Sequence, residues 1–179
     1  DIQMWVVYPP GFDPAKKYPL YLILHGGPHN GVQDAFTFRW NAQVFSGWGY
    51  VSAWHNFHGS SGFGQAFADS INPDQATKPY EDTIAAAEWF ARQPWIDRER
   101  MTAGGGSYGG YMATVLATSY SHRFRGICSE RAVNNLLTEE YTSDISTLFR
   151  VEHGPRHIDD PDAYAQLSPI HDVRNIATP

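Results

Sequence analysis

The stretch Ala103–Met112, AGGGSYGGYM, decides the fold of this chain because it places one serine among five glycines. Gly105, Ser107 and Gly109 satisfy the pattern G-x-S-x-G, in which a serine occupies a sharp turn between a strand and a helix. Glycines two residues before and two residues after the serine remove side chains that would collide at such a turn. The pattern therefore makes Ser107 a candidate nucleophile at the start of a helix.

The segments on either side of this motif supply the strand and the helix that it requires. RERMTAGGG at 98–106 predicts a short strand, and the residues that follow predict a helix over 108–120. The sequence PYEDTIAAAEWFARQ at 79–93 predicts another helix, with acids in its first turn and a proline just beyond its end. Further apolar segments predict strands at 2–8, closed by prolines, at 18–24, stopped by a Gly-Gly-Pro turn, and at 50–56 and 124–130, a helix over 36–49, and short helices and turns after residue 131. Strands that alternate with helices indicate one α/β domain, with a mostly parallel sheet and helices on both faces.

Composition excludes several classes of protein. Apolar residues make up 42% and charged residues 18% of the chain, which indicates a soluble globular domain and no membrane-spanning segment. The net charge is −6 and basic residues form no run, so nucleic acid is not an expected partner. Cys128 is the one cysteine, and its apolar surroundings in the sequence predict a buried thiol.

A second interpretation of the glycine-rich stretch is a dinucleotide site. Gly104, Gly106 and Gly109 also fit G-x-G-x-x-G, and Glu130 lies about twenty residues further on, where such a site places its ribose-binding acid. Two observations weigh against it: RERMTA is a poor apolar strand, and other strands precede the motif. A purely structural glycine-rich turn is a third interpretation.

The segment His25–Pro28, HGGP, directly follows a predicted strand, as the oxyanion loop of an α/β-hydrolase does. An acyl-transfer enzyme stabilises the developing oxyanion with preorganised hydrogen-bond donors. The backbone N–H groups of Gly27 and Tyr108 are the predicted donors, because Pro28 has no N–H. For His25 we expect structural hydrogen bonds instead of a catalytic role. The two motifs together predict the α/β-hydrolase fold.

Five segments resemble, in this order, the catalytic domain of the prolyl oligopeptidase family of serine peptidases, and in particular its acylaminoacyl-peptidase and bacterial dipeptidyl-peptidase branches. They are YPLYLILHGGP, GYVSAWHNFHGSSGFGQAF, PYEDTIAAAEWF, MTAGGGSYGGYMA and DAYAQLSPIHDVRNIATP. The resemblance implies a nucleophile at Ser107, oxyanion donors at Gly27 and Tyr108, and an upstream β-propeller that limits access to short peptides. One departure is His58, where the family often has arginine.

The acid and the base of a catalytic triad are expected outside residues 1–179. In this fold an aspartate and then a histidine follow the serine, each on a loop after a later strand. Asp160 and His171 have the required residue types, but no predicted strand separates them. In the family, the stretch SPIHDVRNIATP precedes the strand whose following loop carries the aspartate. Residues 1–179 are therefore interpreted as a catalytic domain that is incomplete at its C-terminal end.

No metal ion or cofactor is predicted. The pair His153 and His157 is separated by Gly-Pro, and the pair His25 and His29 by Gly-Gly-Pro, so neither pair shares a helix face.

The resulting hypothesis is a serine peptidase that hydrolyses short or N-terminally blocked peptides through an acyl-enzyme on Ser107. In it, Tyr108 also lines the first specificity pocket. A carboxylesterase of the same fold and a catalytically silent α/β-hydrolase used as a binding module are the alternatives. The sequence leaves open exopeptidase or endopeptidase action, a cytoplasmic or exported location, and a homo-oligomeric state.

Overall fold

The computed structural model describes residues 1–179 apart from the side chain of Arg150. Its strands are β1 Met4–Val7, β2 Tyr18–Leu24, β3 Val51–His55, β4 Ile96–Gly106 and β5 Gly126–Glu130. They form one sheet in the order β1-β3-β2-β4-β5, in which β1 runs antiparallel to β3 and the other neighbours are parallel. The predicted mostly parallel sheet is confirmed.

The α-helices of the described chain lie between and after these strands. They are α1 Ala42–Gly47, α2 Gln65–Asp69, α3 Thr77–Ala91, α4 Tyr108–Ser119, α5 Leu136–Thr142, α6 Ser146–His153 and α7 Pro161–Leu167. Two 3-10 helices, Ser121–Arg123 and Pro169–Asn175, complete the fold. Among the described residues, no helix combines the length and the apolar character that crossing a membrane requires.

The central strand β2 carries helices on both of its faces. Successive side chains of a strand point to opposite faces of the sheet. Leu22 is fully buried in the core cluster that also contains Phe90 of α3 and Met112 of α4. Tyr21, the preceding residue, packs against Phe45 of α1 with ring centroids 4.3 Å apart. The predicted placement of helices on both faces is therefore confirmed.

The helix predicted over 79–93 is present, with a start two residues earlier. A side-chain oxygen of Asp74, Oδ1, accepts hydrogen bonds of 3.0 Å from the backbone N–H groups of Ala76 and Thr77. These bonds satisfy donors that a helix start leaves unpaired, so the helix begins at Thr77. It ends before Pro94, which cannot continue a helix.

The sequence predicts a helix over 36–49, but within this range the structure has a helix only at α1, Ala42–Gly47. The prediction is therefore wrong for residues 36–41. Asn41 caps α1 by accepting a hydrogen bond of 2.9 Å from the backbone N–H of Gln43. Trp40, just before this cap, has a φ of 50°, a left-handed conformation that an α-helix does not contain. The apolar residues of 36–40 therefore belong to an irregular segment.

Cys128 is exposed, contrary to the prediction of a buried thiol. It lies on β5, the outermost strand of the described sheet on this side. Helix α1 packs beside β1 and β3, so it does not cover this end of the sheet. Cys128 instead borders an open apolar cavity of about 340 Å³ together with Tyr21 and Trp48.

Candidate active site

Ser107 is the single residue between the end of β4 at Gly106 and the start of α4 at Tyr108. Its backbone has φ 60° and ψ −124°, a combination that costs free energy for any residue with a side chain. Two hydrogen bonds fix it: the Ser107 N–H donates to the carbonyl of Glu130 at 3.1 Å, and the Tyr111 N–H donates to the Ser107 carbonyl at 2.9 Å. The predicted sharp turn between a strand and a helix is confirmed, and its backbone is strained.

Gly105 and Gly109 bring two strands and a helix into contact at this turn. A Cβ atom on either residue would overlap the carbonyl oxygen of Leu24 at the end of β2. A Cβ on Gly105 would also lie 2.8 Å from the backbone carbonyl carbon of Gly109. The two glycines of G-x-S-x-G therefore allow β2, β4 and α4 to approach each other directly below Ser107.

We expect Gly109→Ala in the full-length protein to lower the free energy of unfolding by about 1–3 kcal/mol, as overpacking of a tight site does. The measurement is thermal or denaturant unfolding. Gly47→Ala is the matched control, because a Cβ there meets no atom within 4 Å. Equal unfolding midpoints for the two variants would show that helix α4 can move away from β2 without cost.

The loop after β2 brings Gly26 and Gly27 next to Ser107. A Cβ on Gly26 would lie 3.5 Å from the Cβ of Ser107, so the two backbones are in contact. Gly27 has a φ of 133°, which residues with a side chain rarely adopt. The N–H of Tyr108 is the first of helix α4 and therefore lacks a carbonyl partner in the preceding turn. Both proposed oxyanion donors thus lie beside Ser107, and the convergence of their N–H groups on one point stays a prediction.

His25 fixes this loop through its ring. It stacks on Phe57 with centroids 4.0 Å apart, and burial lowers the pKa of its imidazole to about 4. The ring is therefore neutral at neutral pH, with one donor and one acceptor nitrogen. Nδ1 lies 2.8 Å from the carbonyl oxygen of Gly26 and must be the donor, so Nε2 accepts from the Ser60 hydroxyl at 2.9 Å. The predicted structural hydrogen bonds of His25 are confirmed.

Two cavities meet at Ser107. The larger, of about 700 Å³, extends between the loop at Gly26, the irregular segment 30–41 and Arg131. The smaller, of about 140 Å³, is bordered by Gly27, Tyr108 and side chains of α5 and α6. Ser107 therefore lies between a wide cavity and a narrow one.

A family model described as the prolyl oligopeptidase family, Peptidase S9, matches residues 36–179. The chain belongs to this family. The family resemblance inferred from the sequence is confirmed. "Probable dipeptidyl-peptidase 5" of Aspergillus terreus is 46% identical over 128 residues, which cover 70% of the chain and 18% of the relative. "Dipeptidyl-peptidase 5" of Schizosaccharomyces pombe is 33% identical over 180 residues, which cover 99% of the chain and 26% of the relative.

Solved structures of prolyl oligopeptidase family peptidases have the same fold. Pyrococcus horikoshii acylaminoacyl peptidase matches 99% of the chain with a TM-score of 0.90 and 28% identity, over 29% of its own length. An acylaminoacyl peptidase in complex with Z-Gly-Gly-Phe-chloromethyl ketone matches equally well, with a TM-score of 0.90 and 29% identity over 28% of its length. The predicted α/β-hydrolase fold is confirmed. The chain spans between 18% and 29% of the length of these four relatives.

The dinucleotide interpretation finds no support in this prolyl oligopeptidase fold. A dinucleotide motif follows the first strand of its domain, whereas the glycines here lie at the end of β4, the fourth strand, and at the start of α4. The carboxylate of Glu130 forms an ion pair of 2.8 Å with Arg131. Its backbone carbonyl, as described above, holds Ser107.

The structure leaves the proposed triad partners of this family domain unassigned. Ser107 is exposed, and its hydroxyl forms no hydrogen bond with any described residue. Asp160 caps α7 by accepting a hydrogen bond of 3.1 Å from Ala163 N–H, and His171 is an exposed residue of a 3-10 helix. The location of the catalytic acid and base outside residues 1–179 stays a prediction.

Sequence reasoning missed the polar residues that border the smaller cavity. Gln75 precedes α3, and Glu152 and His153 end α6. In the sequence, His153 is considered as a metal-ligand candidate together with His157, and no role is predicted for Gln75 or Glu152. Their segments contain no motif, so only the packing of α6 near Ser107 reveals them.

Proposed function

We propose that the full-length protein is a serine peptidase that hydrolyses short or N-terminally blocked peptides through an acyl-enzyme on Ser107. The observation that carries this proposal is the strained turn at Ser107, held against the glycine loop between two cavities. Relatives named dipeptidyl-peptidase and acylaminoacyl peptidase support a peptide substrate, as does the neighbour solved with a peptide chloromethyl ketone.

In the proposed reaction, the Ser107 hydroxyl attacks the carbonyl carbon of the substrate while a histidine accepts its proton. The carbonyl oxygen becomes an oxyanion that receives hydrogen bonds from the N–H groups of Gly27 and Tyr108. Tyr108 begins helix α4, whose N-terminal end carries a partial positive charge that favours this oxyanion. The histidine then gives its proton to the leaving amine, and water hydrolyses the acyl-enzyme. The histidine and its aspartate are proposed to lie outside residues 1–179.

The test uses the full-length protein with a fluorophosphonate probe and two substrate sets, blocked peptide p-nitroanilides and p-nitrophenyl esters. We expect the probe to label Ser107 and the protein to hydrolyse the peptide amides, since a serine peptidase must cleave amide bonds. Hydrolysis of esters without amides would indicate the carboxylesterase instead. An absence of both labelling and hydrolysis would indicate the silent binding module.

A further inference from the structure

The smaller cavity at Ser107 has apolar walls. Its lining includes Tyr108 and Tyr111 of α4, Leu136 of α5 and Phe149 of α6. These four side chains are almost entirely buried. Such walls suit the aliphatic part of a substrate side chain, because burial of apolar surface is favourable.

Three polar side chains also border this cavity, and they are largely withdrawn from solvent. Gln75 is 4% exposed, Glu152 9% and His153 9%. His153 Nδ1 forms no hydrogen bond with any described group, whereas the Gln75 side chain acts as a hydrogen-bond donor to Glu152. Because buried polar atoms are nearly always paired in folded proteins, this unpaired nitrogen is consistent with a donor group of a ligand in the cavity.

The charge around the cavity is negative. Its charged lining residues are Glu139 and Glu152, and no lysine or arginine is among the described lining residues. Burial raises the pKa of the Glu152 carboxyl, and a hydrogen bond from the Gln75 side chain acts in the opposite direction. Burial lowers the pKa of His153 to about 4, so this imidazole is neutral at neutral pH and offers a lone pair.

This cavity is the candidate first specificity pocket, because Tyr108 lines it. We propose that Glu152 makes it select a basic side chain at the residue that supplies the scissile carbonyl. This inference rests on the proposed peptidase function at Ser107. The stem of a lysine side chain would lie against the apolar walls, and its ammonium group would donate to the Glu152 carboxylate. The ammonium could also donate to Nδ1 of His153, in the tautomer that carries its proton on Nε2. An acidic side chain would meet the like charge of Glu152.

The competing interpretation is that Glu152 only holds Gln75 and His29 in place. A change in that structural role would alter the hydrolysis of all substrates by the same factor. Selection by charge would instead alter the ratio between a charged substrate and its neutral counterpart. The ratio therefore separates the two interpretations.

The experiment measures kcat/KM of the full-length protein for three peptide p-nitroanilides that differ only at the cleaved residue, which is lysine, norleucine or glutamate. We expect lysine to exceed norleucine by about tenfold or more, as a hydrogen bond to a charged group allows, and glutamate to be the poorest substrate. Glu152→Gln should bring the lysine-to-norleucine ratio close to one, and Glu152→Asp, which keeps the charge, should retain a ratio above one.

Glu99→Gln is the matched control. It removes one negative charge from an exposed position on β4, eight residues before Ser107 and roughly 20 Å or more away along the strand. Its lysine-to-norleucine ratio should equal that of the wild type, because solvent screens so distant a charge. Fluorophosphonate labelling of each variant measures the fraction of folded active sites, so a misfolded variant is recognised.

The outcomes separate this inference from the function on which it rests. If norleucine is cleaved and Glu152→Gln leaves the ratio unchanged, selection by Glu152 is refuted while the peptidase function stands. A wild-type preference for norleucine or glutamate over lysine has the same consequence. If no peptide is cleaved and Ser107 is not labelled, both proposals fail.

Discussion

Replacing Ser107 by alanine in the full-length protein is expected to lower kcat for peptide hydrolysis at least about 10⁴-fold, because the nucleophile and its base act as a unit. Alanine has no hydroxyl to form the acyl-enzyme, but it can occupy the same backbone position. The strain at φ 60° and the two hydrogen bonds of the turn are therefore kept. Steady-state kinetics measure the loss, and thermal unfolding should show a midpoint like that of the wild type.

Ser119→Ala is the matched control for this substitution. Ser119 is an exposed residue at the far end of the same helix, so its hydroxyl can be removed without touching the candidate site. We expect wild-type activity from this variant. If Ser107→Ala retains more than about a hundredth of the wild-type activity, the nucleophile is another residue, since known triads lose far more.

The parts of the fold that local sequence determines could be predicted. Strand β2 is a nearly continuous apolar run, and such a run is typical of a strand with helices on both faces. The turn at Ser107 could be predicted because its two flanking glycines are required by contacts with Leu24. In the segment 36–49 the apolar pattern predicts a helix that begins too early. The helix begins only after the cap at Asn41, because Trp40 has a left-handed backbone conformation.

Features that depend on distant packing could not be predicted from the sequence. Cys128 lies in an apolar segment, but its exposure depends on which element covers β5. Glu152 lies 45 residues after Ser107 in the chain, and it borders the same cavity only because the fold brings α6 near the start of α4. Sequence motifs could therefore predict the candidate nucleophile and its neighbouring glycine loop. They could not predict the residue proposed to select substrates.

Residues 1–179, produced alone, are expected to show no measurable turnover of peptide substrates. A serine hydroxyl is a weak nucleophile near neutral pH unless an adjacent base accepts its proton. The Ser107 hydroxyl forms no hydrogen bond with any described residue, so the structure offers it no such base. The measurement compares this chain with the full-length protein for peptide hydrolysis and for the rate of fluorophosphonate labelling at Ser107.

The isolated chain is also expected to associate in solution. An open apolar surface beside β5 includes Tyr21, Trp48 and Ile127, and β5 is the outermost strand of the described sheet. Exposed apolar surface favours aggregation, which sedimentation or light scattering would detect. If the isolated chain is instead monomeric and labels as fast as the full-length protein, a base lies within residues 1–179. His153 would then be the first histidine to replace, because it borders the same cavity as Ser107.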